Sequence, residues 1–353
     1  MRKMFSHSTK GGFEPFKEII RQIHDGTTPM HIGGLQGSAG AFAVSVLYGK
    51  LDRPMLVVCS EEKDAAAFAR DLKVFWGTEA VFHYPALDFL TVDMFALQRE
   101  EELARLEVLA HLQVNGKTIV VASALALMQK VMPASRFVQC LQIISTGDII
   151  DRDAFSARLV GNGYSPVSLV EAKGEFSVRG NIIDVFPPTE ENPLRMDMLG
   201  DSVESIRRFD GVSQRSGAGV SAFVLSPASE VILDASTLDL AVRNIRRRAD
   251  ELSLPRETRN RLVETLKNHM VSSVNPIFLP LFYETYDPGS GLSTDKLSCF
   301  FDYLTKDTLV VLNNPLAVRQ AMQDARVAID KLLFKTKNSG KFYLEKENAY
   351  LDT

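Results

Sequence analysis

The sequence predicts an α/β protein whose body is a parallel sheet covered by helices, interrupted by a β-rich segment. Three observations support this. Over about the first 135 residues, runs that are apolar throughout alternate with helical patterns, as buried parallel strands require. After about residue 136 the chain changes to short strands and turns, and after residue 233 helices return. At about 100–200 residues per domain, 353 residues exceed one core, so two or three domains are expected.

Residues 30–35 read as a short strand ending in glycines, and 39–48 as a helix. Residues 55–59 form a buried-strand run, with Ser60 placed to cap a helix over 61–76. Another strand is predicted over 80–84. A helix over 98–114 follows, with Leu103, Leu106 and Leu109 or Ala110 on one stripe. Residues 118–122 make a β-branched strand, and Ser123 caps a helix running toward Met132. The acidic runs at 61–62 and 100–102 read as solvated helix starts, where negative charge suits the helix dipole.

In the middle segment, a helix over 152–160 ends at Gly161. Residues 176–186 and 194–209 each read as a hairpin or meander, turning at Gly180-Asn181 and Gly200-Asp201. Leu194, Met196 and Met198 alternate with Arg195, Asp197 and Leu199, so one face is buried and the other is offered to solvent or a partner. Helices are then expected over 237–252 and 255–269, a strand over 308–312, and a helix from Asn314-Pro315 into Leu333. The tail, 335–353, is charged and expected to end in a poorly ordered piece.

Lys plus Arg number 40 against 44 Asp plus Glu, a balance that excludes a chain-wide basic surface of the kind that binds nucleic acid by bulk charge. Cys59, Cys140 and Cys299 are far apart, as suits a reducing compartment better than a disulfide framework. No apolar run reaches the roughly 18–20 residues that span a bilayer, and the N-terminus has no signal-peptide core, so a cytoplasmic protein with no membrane contact is expected.

The sequence GLQGSAGA at 34–41 lies where a phosphate-binding loop belongs, between a strand-like run and a helix. Aligned on the P-loop pattern from Gly34, with Gly37 inside the loop, Ala39 stands at the second glycine, Gly40 at the lysine and Ala41 at the Ser/Thr. Without the lysine no cation meets the β/γ-phosphates, and without the hydroxyl Mg²⁺ has no ligand here. The stretch is read as a structural relic, with no catalytic residue and no cofactor. The six histidines have no metal-ligand spacing, and Asp234 reads as a helix cap rather than a magnesium ligand.

Two arginine features remain. Arg243, Arg246, Arg247 and Arg248, continued by Arg256, Arg259 and Arg261, could touch phosphates or form two solvated helices neutralised by Asp250, Glu251 and Glu257. The lack of interleaved aromatics favours the solvated helices. Arg179, at a turn, and Arg195, on the outward face of a strand with exposed Leu199, are good material for a protein interface.

The glycine loop, YPALD at 84–88, TIVVAS at 118–123 and GEFSVRGNIIDVFP at 174–187 together resemble the N-terminal region of bacterial transcription–repair coupling factor, Mfd, itself similar to the repair protein UvrB. The resemblance covers roughly residues 13–335, and 176–201 is its most specific part. UvrB would keep the lysine and threonine of a working P-loop, so Gly40 and Ala41 favour the coupling factor.

The resemblance implies a degenerate P-loop, RecA-like α/β body in two portions (1a and 1b) around an inserted small β-rich domain 2. The expected boundaries are 1–136, 137–226 and 227–335, with 336–353 a charged tail or linker. It also implies recruitment of UvrA through domain 2, with Arg179 and Arg195 at the matching arginine positions. Leu199 stands where the family often has an aromatic, and Asp201 and Glu204 lie near enough to meet basic residues of the partner. RNA polymerase and duplex DNA, with ATP and Mg²⁺, are expected only through regions beyond this chain. A C-terminal domain of the intact family protein is expected to mask the UvrA surface. The alternatives are a UvrB-like nucleotide-dependent repair enzyme, or a DNA-contacting module using the arginines from Arg243 to Arg261.

Overall fold

The computed structural model describes residues 14–351 apart from 28, 88–93, 95–98, 115, 269–273 and 285–294. The chain begins with α1 (Glu14–His24) and α2 (Ala39–Leu51). It then alternates β1 (Met55–Cys59), α3 (Glu62–Trp76), β2 (Val81–Tyr84), α4 (Arg99–Val114), β3 (Ile119–Ser123) and α5 (Ala124–Met128). After α6 (Ala134–Cys140) come β4 (Gln142–Ser145), α7 (Arg152–Gly161), β5 (Ser165–Pro166), β6 (Glu175–Arg179) and β7 (Ile182–Val185). Strands β8 (Leu194–Leu199), β9 (Ser202–Phe209), β10 (Ser216–Val220) and β11 (Ala222–Leu225) complete the β-rich part. The last stretch holds α8 (Ala235–Glu251), α9 (Arg256–Asn268), α10 (Pro280–Tyr283), β12 (Leu309–Leu312), α11 (Pro315–Lys337) and α12 (Lys346–Ala349).

The body is a parallel sheet in the order β12-β1-β3-β2. Every residue of β1 and β3 is buried, which is why these strands read as uninterrupted apolar runs. One face packs against α2 and α3 through Leu47, Val57, Leu72 and Val121. The other carries a core built from both ends of the chain, including Leu56, Leu106, Val120, Ile245, Phe282 and Phe342. Strand β12, more than 180 residues after β3, completes the sheet beside β1, so the stretches before and after the β-rich part share one sheet and one core.

The β-rich part is a six-stranded sheet, β10-β9-β8-β7-β6-β5, with an antiparallel β11–β4 pair. Its core, with Phe155, Leu159, Ile183, Met196, Val203 and Phe223, is separate from those of the body. The two units meet at α4. Arg105 is fully buried; it pairs with Glu230 (Nε to Oε1, 2.9 Å), donates to Gln129 Oε1 at 3.0 Å and lies 4.4 Å over the Tyr84 ring. One turn earlier, Glu102 accepts from Ser229 Oγ and the Glu230 amide, both at 2.9 Å.

Several local expectations need correction. Residues 30–35 form no strand; they run as irregular chain into α2. Ser60 does not cap α3, whose N-cap position is Glu61; its hydroxyl donates to Asp64. Glu62 and Glu102 are not solvated helix starts. Glu62 holds Ser123 Oγ at 2.7 Å and faces His83 Nε2 at 2.8 Å, and Glu102 is buried against the segment following β11. The charged tail is docked rather than loose over 341–351. Phe342, Tyr343, Leu344 and Tyr350 are buried, Glu345 meets Arg248 at 2.8 Å, and the Leu351 amide donates to the Met128 carbonyl. Interspersed aromatics, rather than the charge count, decide the fate of that segment. Among the described residues, no helix is long and apolar enough to cross a membrane.

Candidate functional site

Strands β6 to β9 alternate strictly enough to sort their side chains by face. Ile183, Val185, Leu194, Met196, Met198, Val203 and Ile206 point into the domain core. The opposite face presents cross-strand rows. One row is Ser177, Asp184, Arg195 and Arg207; the next is Arg179, Ile182, Asp197 and Ser205. A β-bulge between Asp197 and Met198 leaves Glu204 as the extra residue of β9, exposed to solvent.

The centre of this face is Asp184, fully buried although its row is outward. Arg195 grips it with two prongs, Nε to Oδ1 at 2.7 Å and Nη2 to Oδ2 at 2.8 Å. Arg179 reaches the same Oδ2 at 2.7 Å. Arg195 is held further by the Phe209 ring, 4.5 Å below its guanidinium, and by Gln214 Oε1 at 3.3 Å. The bond to Asp184 pushes its guanidinium pKa up, securing the charge. The side chain of Arg195 is thus 17% exposed, whereas that of Arg179 is 46% exposed and makes a single bond to the carboxylate.

The two arginines picked out by sequence are therefore brought together, but unequally: Arg195 is mostly built into the sheet and Arg179 presents its charge. Leu199 ends β8, 69% exposed. Asp201, in the following turn, and Glu204 are exposed and make no ion pair among the described residues. At about 3.4 Å per residue along a strand, Leu199 lies roughly 14 Å from Arg195, so all five residues fit within one docking footprint. Asp184, Phe209 and Gln214 are the participants that the residue types did not announce. The available signal was the alternation of Ile182, Ile183, Asp184 and Val185, which puts Asp184 on the arginine face.

The glycine loop sits apart, in the body. Gly34 and Gly37 have φ of 79° and 55°, and Ser38 makes no side-chain cap to α2. A Cβ on Gly40 would lie 3.2 Å from the ring of Phe68, so α3 crowds the position where a P-loop has its lysine. Ala41 is buried. Asp234 caps α8 in a capping box with Thr237, and its Oδ2 meets Arg136 Nη2 at 2.9 Å; the bonds from Ser236, Thr237 and Arg136 outweigh burial and hold its carboxyl at about 2.

The basic helices α8 and α9 are largely neutralised. Arg247 pairs with Glu251, Arg259 with Asp250, and Arg248 lies over Tyr343 while reaching Glu251 and Glu345. Arg243 lies 3.7 Å from Asp239. Arg246, Arg256 and Arg261 are exposed with no ion pair among the described residues.

Comparison with known proteins adds two findings. The model of the UvrB interaction domain family matches residues 143–231, the stretch that contains β6 to β11. The chain is also similar to transcription-repair-coupling factors. It is 32% identical to that of Myxococcus xanthus over 88% of this chain and 26% of the relative. It is 31% identical to that of Bacillus subtilis over 62% and 19%, and 28% identical to that of Haemophilus influenzae over 84% and 25%. The chain thus spans about a quarter of the length of the curated relatives it matches.

Proposed function

From a chain that belongs with the N-terminal region of bacterial transcription-repair-coupling factors, we propose a recruitment module for nucleotide-excision repair that binds UvrA through the outward face of β6 to β9. The observation that carries this is a coincidence of position. The stretch matched by the UvrB interaction domain contains the Arg179–Asp184–Arg195 group, an arginine pair fixed by a buried carboxylate and presented on a rigid sheet. A buried, doubly paired carboxylate pre-orders its arginines, so little side-chain entropy is lost when a partner docks.

Residues 137–226 act as the docking domain. Residues 1–136 and 227–335 form a degenerate RecA-like body that supplies no nucleotide chemistry, because positions 40 and 41 lack the amine and hydroxyl that phosphate and Mg²⁺ need. Motor activity, RNA polymerase contact and masking of the surface belong to other regions of the intact protein, which works in the cytoplasm.

Retention of purified UvrA by the immobilised chain tests this reading. The wild-type chain is expected to retain UvrA, and the Arg179→Ala/Arg195→Ala chain to retain much less. Equal retention by both would contradict it, and micromolar binding of ATP by the chain would contradict the non-catalytic assignment.

A further inference from the structure

Beyond the arginine rows, the same face continues toward the Leu199–Ser202 turn and the loop that bears Ile149. Ser202, the first residue of β9, pairs with Leu199 on one side and with Ile149, antiparallel, on the other. Directly opposed residues share a face, so Leu199 and Ile149 stand on the same side with the small serine between them. Neighbouring strands are about 4.8 Å apart, so the two aliphatic side chains frame a notch roughly 10 Å across. Ile149 is 76% exposed, more than Leu199.

This exposure is rigidly maintained. The Gly147 amide donates to the Val203 carbonyl at 2.8 Å, the Val203 amide to the Asp148 carbonyl at 2.9 Å, and the Ile150 amide to the Asp201 carbonyl at 2.7 Å. Asp148 also turns its carboxylate back to the Ser145 amide at 2.8 Å. The loop bearing Ile149 is therefore stitched along β9 on both sides of the isoleucine. Beside the notch are the exposed carboxylates of Asp201 and Glu204, while the arginines of the neighbouring rows are committed to Asp184 and Asp197. The tip is thus apolar and negative, next to a positive arginine row.

We infer that Ile149 and Leu199 together form a second anchor point of the UvrA-docking surface, a notch that takes one apolar side chain flanked by basic residues of UvrA. The inference rests on the proposed UvrA docking. The occupant follows from the chemistry of the notch: aliphatic walls select an apolar side chain, and the exposed carboxylates of Asp201 and Glu204, which make no ion pair among the described residues, select cationic neighbours. Ile149 supplies apolar area beside Leu199, both side chains being largely exposed.

The test is calorimetric titration of UvrA into the full chain carrying Ile149→Ser, Ile149→Leu, Leu199→Ser, the double serine variant or Asp201→Lys/Glu204→Lys, with Arg179→Ala as the reference. Ile149→Ser is expected to weaken binding at least tenfold, Ile149→Leu to retain it, and the double serine variant to lose less than the product of the single losses. Reversal of the two carboxylates is expected to weaken binding at low salt. Far-UV circular dichroism confirms that each variant is folded. Unchanged affinity in Ile149→Ser with a clear loss in Arg179→Ala overturns the notch and leaves the docking reading standing. Absence of binding by the wild-type chain overturns both.

Discussion

Arg195 and Asp184 face each other across β8 and β7 in a two-pronged ion pair whose carboxylate is fully buried and shared with Arg179. A charge buried in this way is tolerable only because both oxygens are occupied, and the arrangement converts an interior requirement into a surface property. The carboxylate needed to complete the outer layer of the sheet also fixes the two guanidinium groups that the proposed partner would meet.

Removing that carboxylate is the severest test of the arrangement. Asp184→Ala leaves Arg195, largely enclosed, without its partner, and is expected to cost about 3 kcal/mol. Urea denaturation followed by circular dichroism checks it. A loss below about 1 kcal/mol would mean that the arginines find equivalent partners elsewhere.

The two arginines should separate in their effects. Arg179→Ala removes a half-exposed side chain with one bond, so its effect on stability is expected within about 1 kcal/mol while UvrA binding falls by about tenfold or more. Arg195→Ala also strips the Phe209 ring of its cover and is expected to lower both stability and binding. Paired melting and binding measurements on the two variants distinguish these outcomes.

At the junction of the two units, burial pushes the Glu102 carboxyl up to about 7 from its usual 4.5, against the opposing pull of Arg99, Ser229 and the Glu230 amide. The folded chain therefore holds this proton more tightly than the unfolded chain. The stabilising contribution is complete below the unfolded value of 4.5 and is lost as pH rises through about 7. Urea midpoints are expected to decline over that window in the wild type and to decline less in Glu102→Gln, which keeps an acceptor without the titration.

Arg105 ties α4 to the segment after β11 by contacts that a smaller side chain cannot make. Arg105→Ala leaves Glu230 buried and unpaired and is expected to cost about 3–5 kcal/mol, judged by the urea midpoint. Arg105→Lys is expected to recover little of it. An ammonium cannot hold Glu230 and Gln129 from one planar fork while lying over Tyr84.

Wherever local rules decide, the fold is legible in the sequence. The unbroken apolar character of 55–59 and 119–122 announces buried parallel strands, and the alternation in 194–199 places Arg195 and Leu199 on the outward face. What escapes is pairing between distant segments. Asp184 becomes central only through a register that sets it opposite Arg195, and a one-residue slip would send it into the core. Glu102 has the local setting of a first-turn acid, yet its burial depends on Ser229, 127 residues onward. Ile149 joins Leu199 only through a bridge to Ser202 that no periodicity foretells.

Whether the outward face of β6 to β9 is the UvrA-binding surface is tested most cleanly at Arg179, because its loss leaves Asp184 paired with Arg195. Titration of UvrA into the wild-type chain is expected to give a saturable isotherm, and into folded Arg179→Glu one weakened at least tenfold. Identical isotherms for the two, or no binding by the wild type, would contradict a UvrA-binding role for this face.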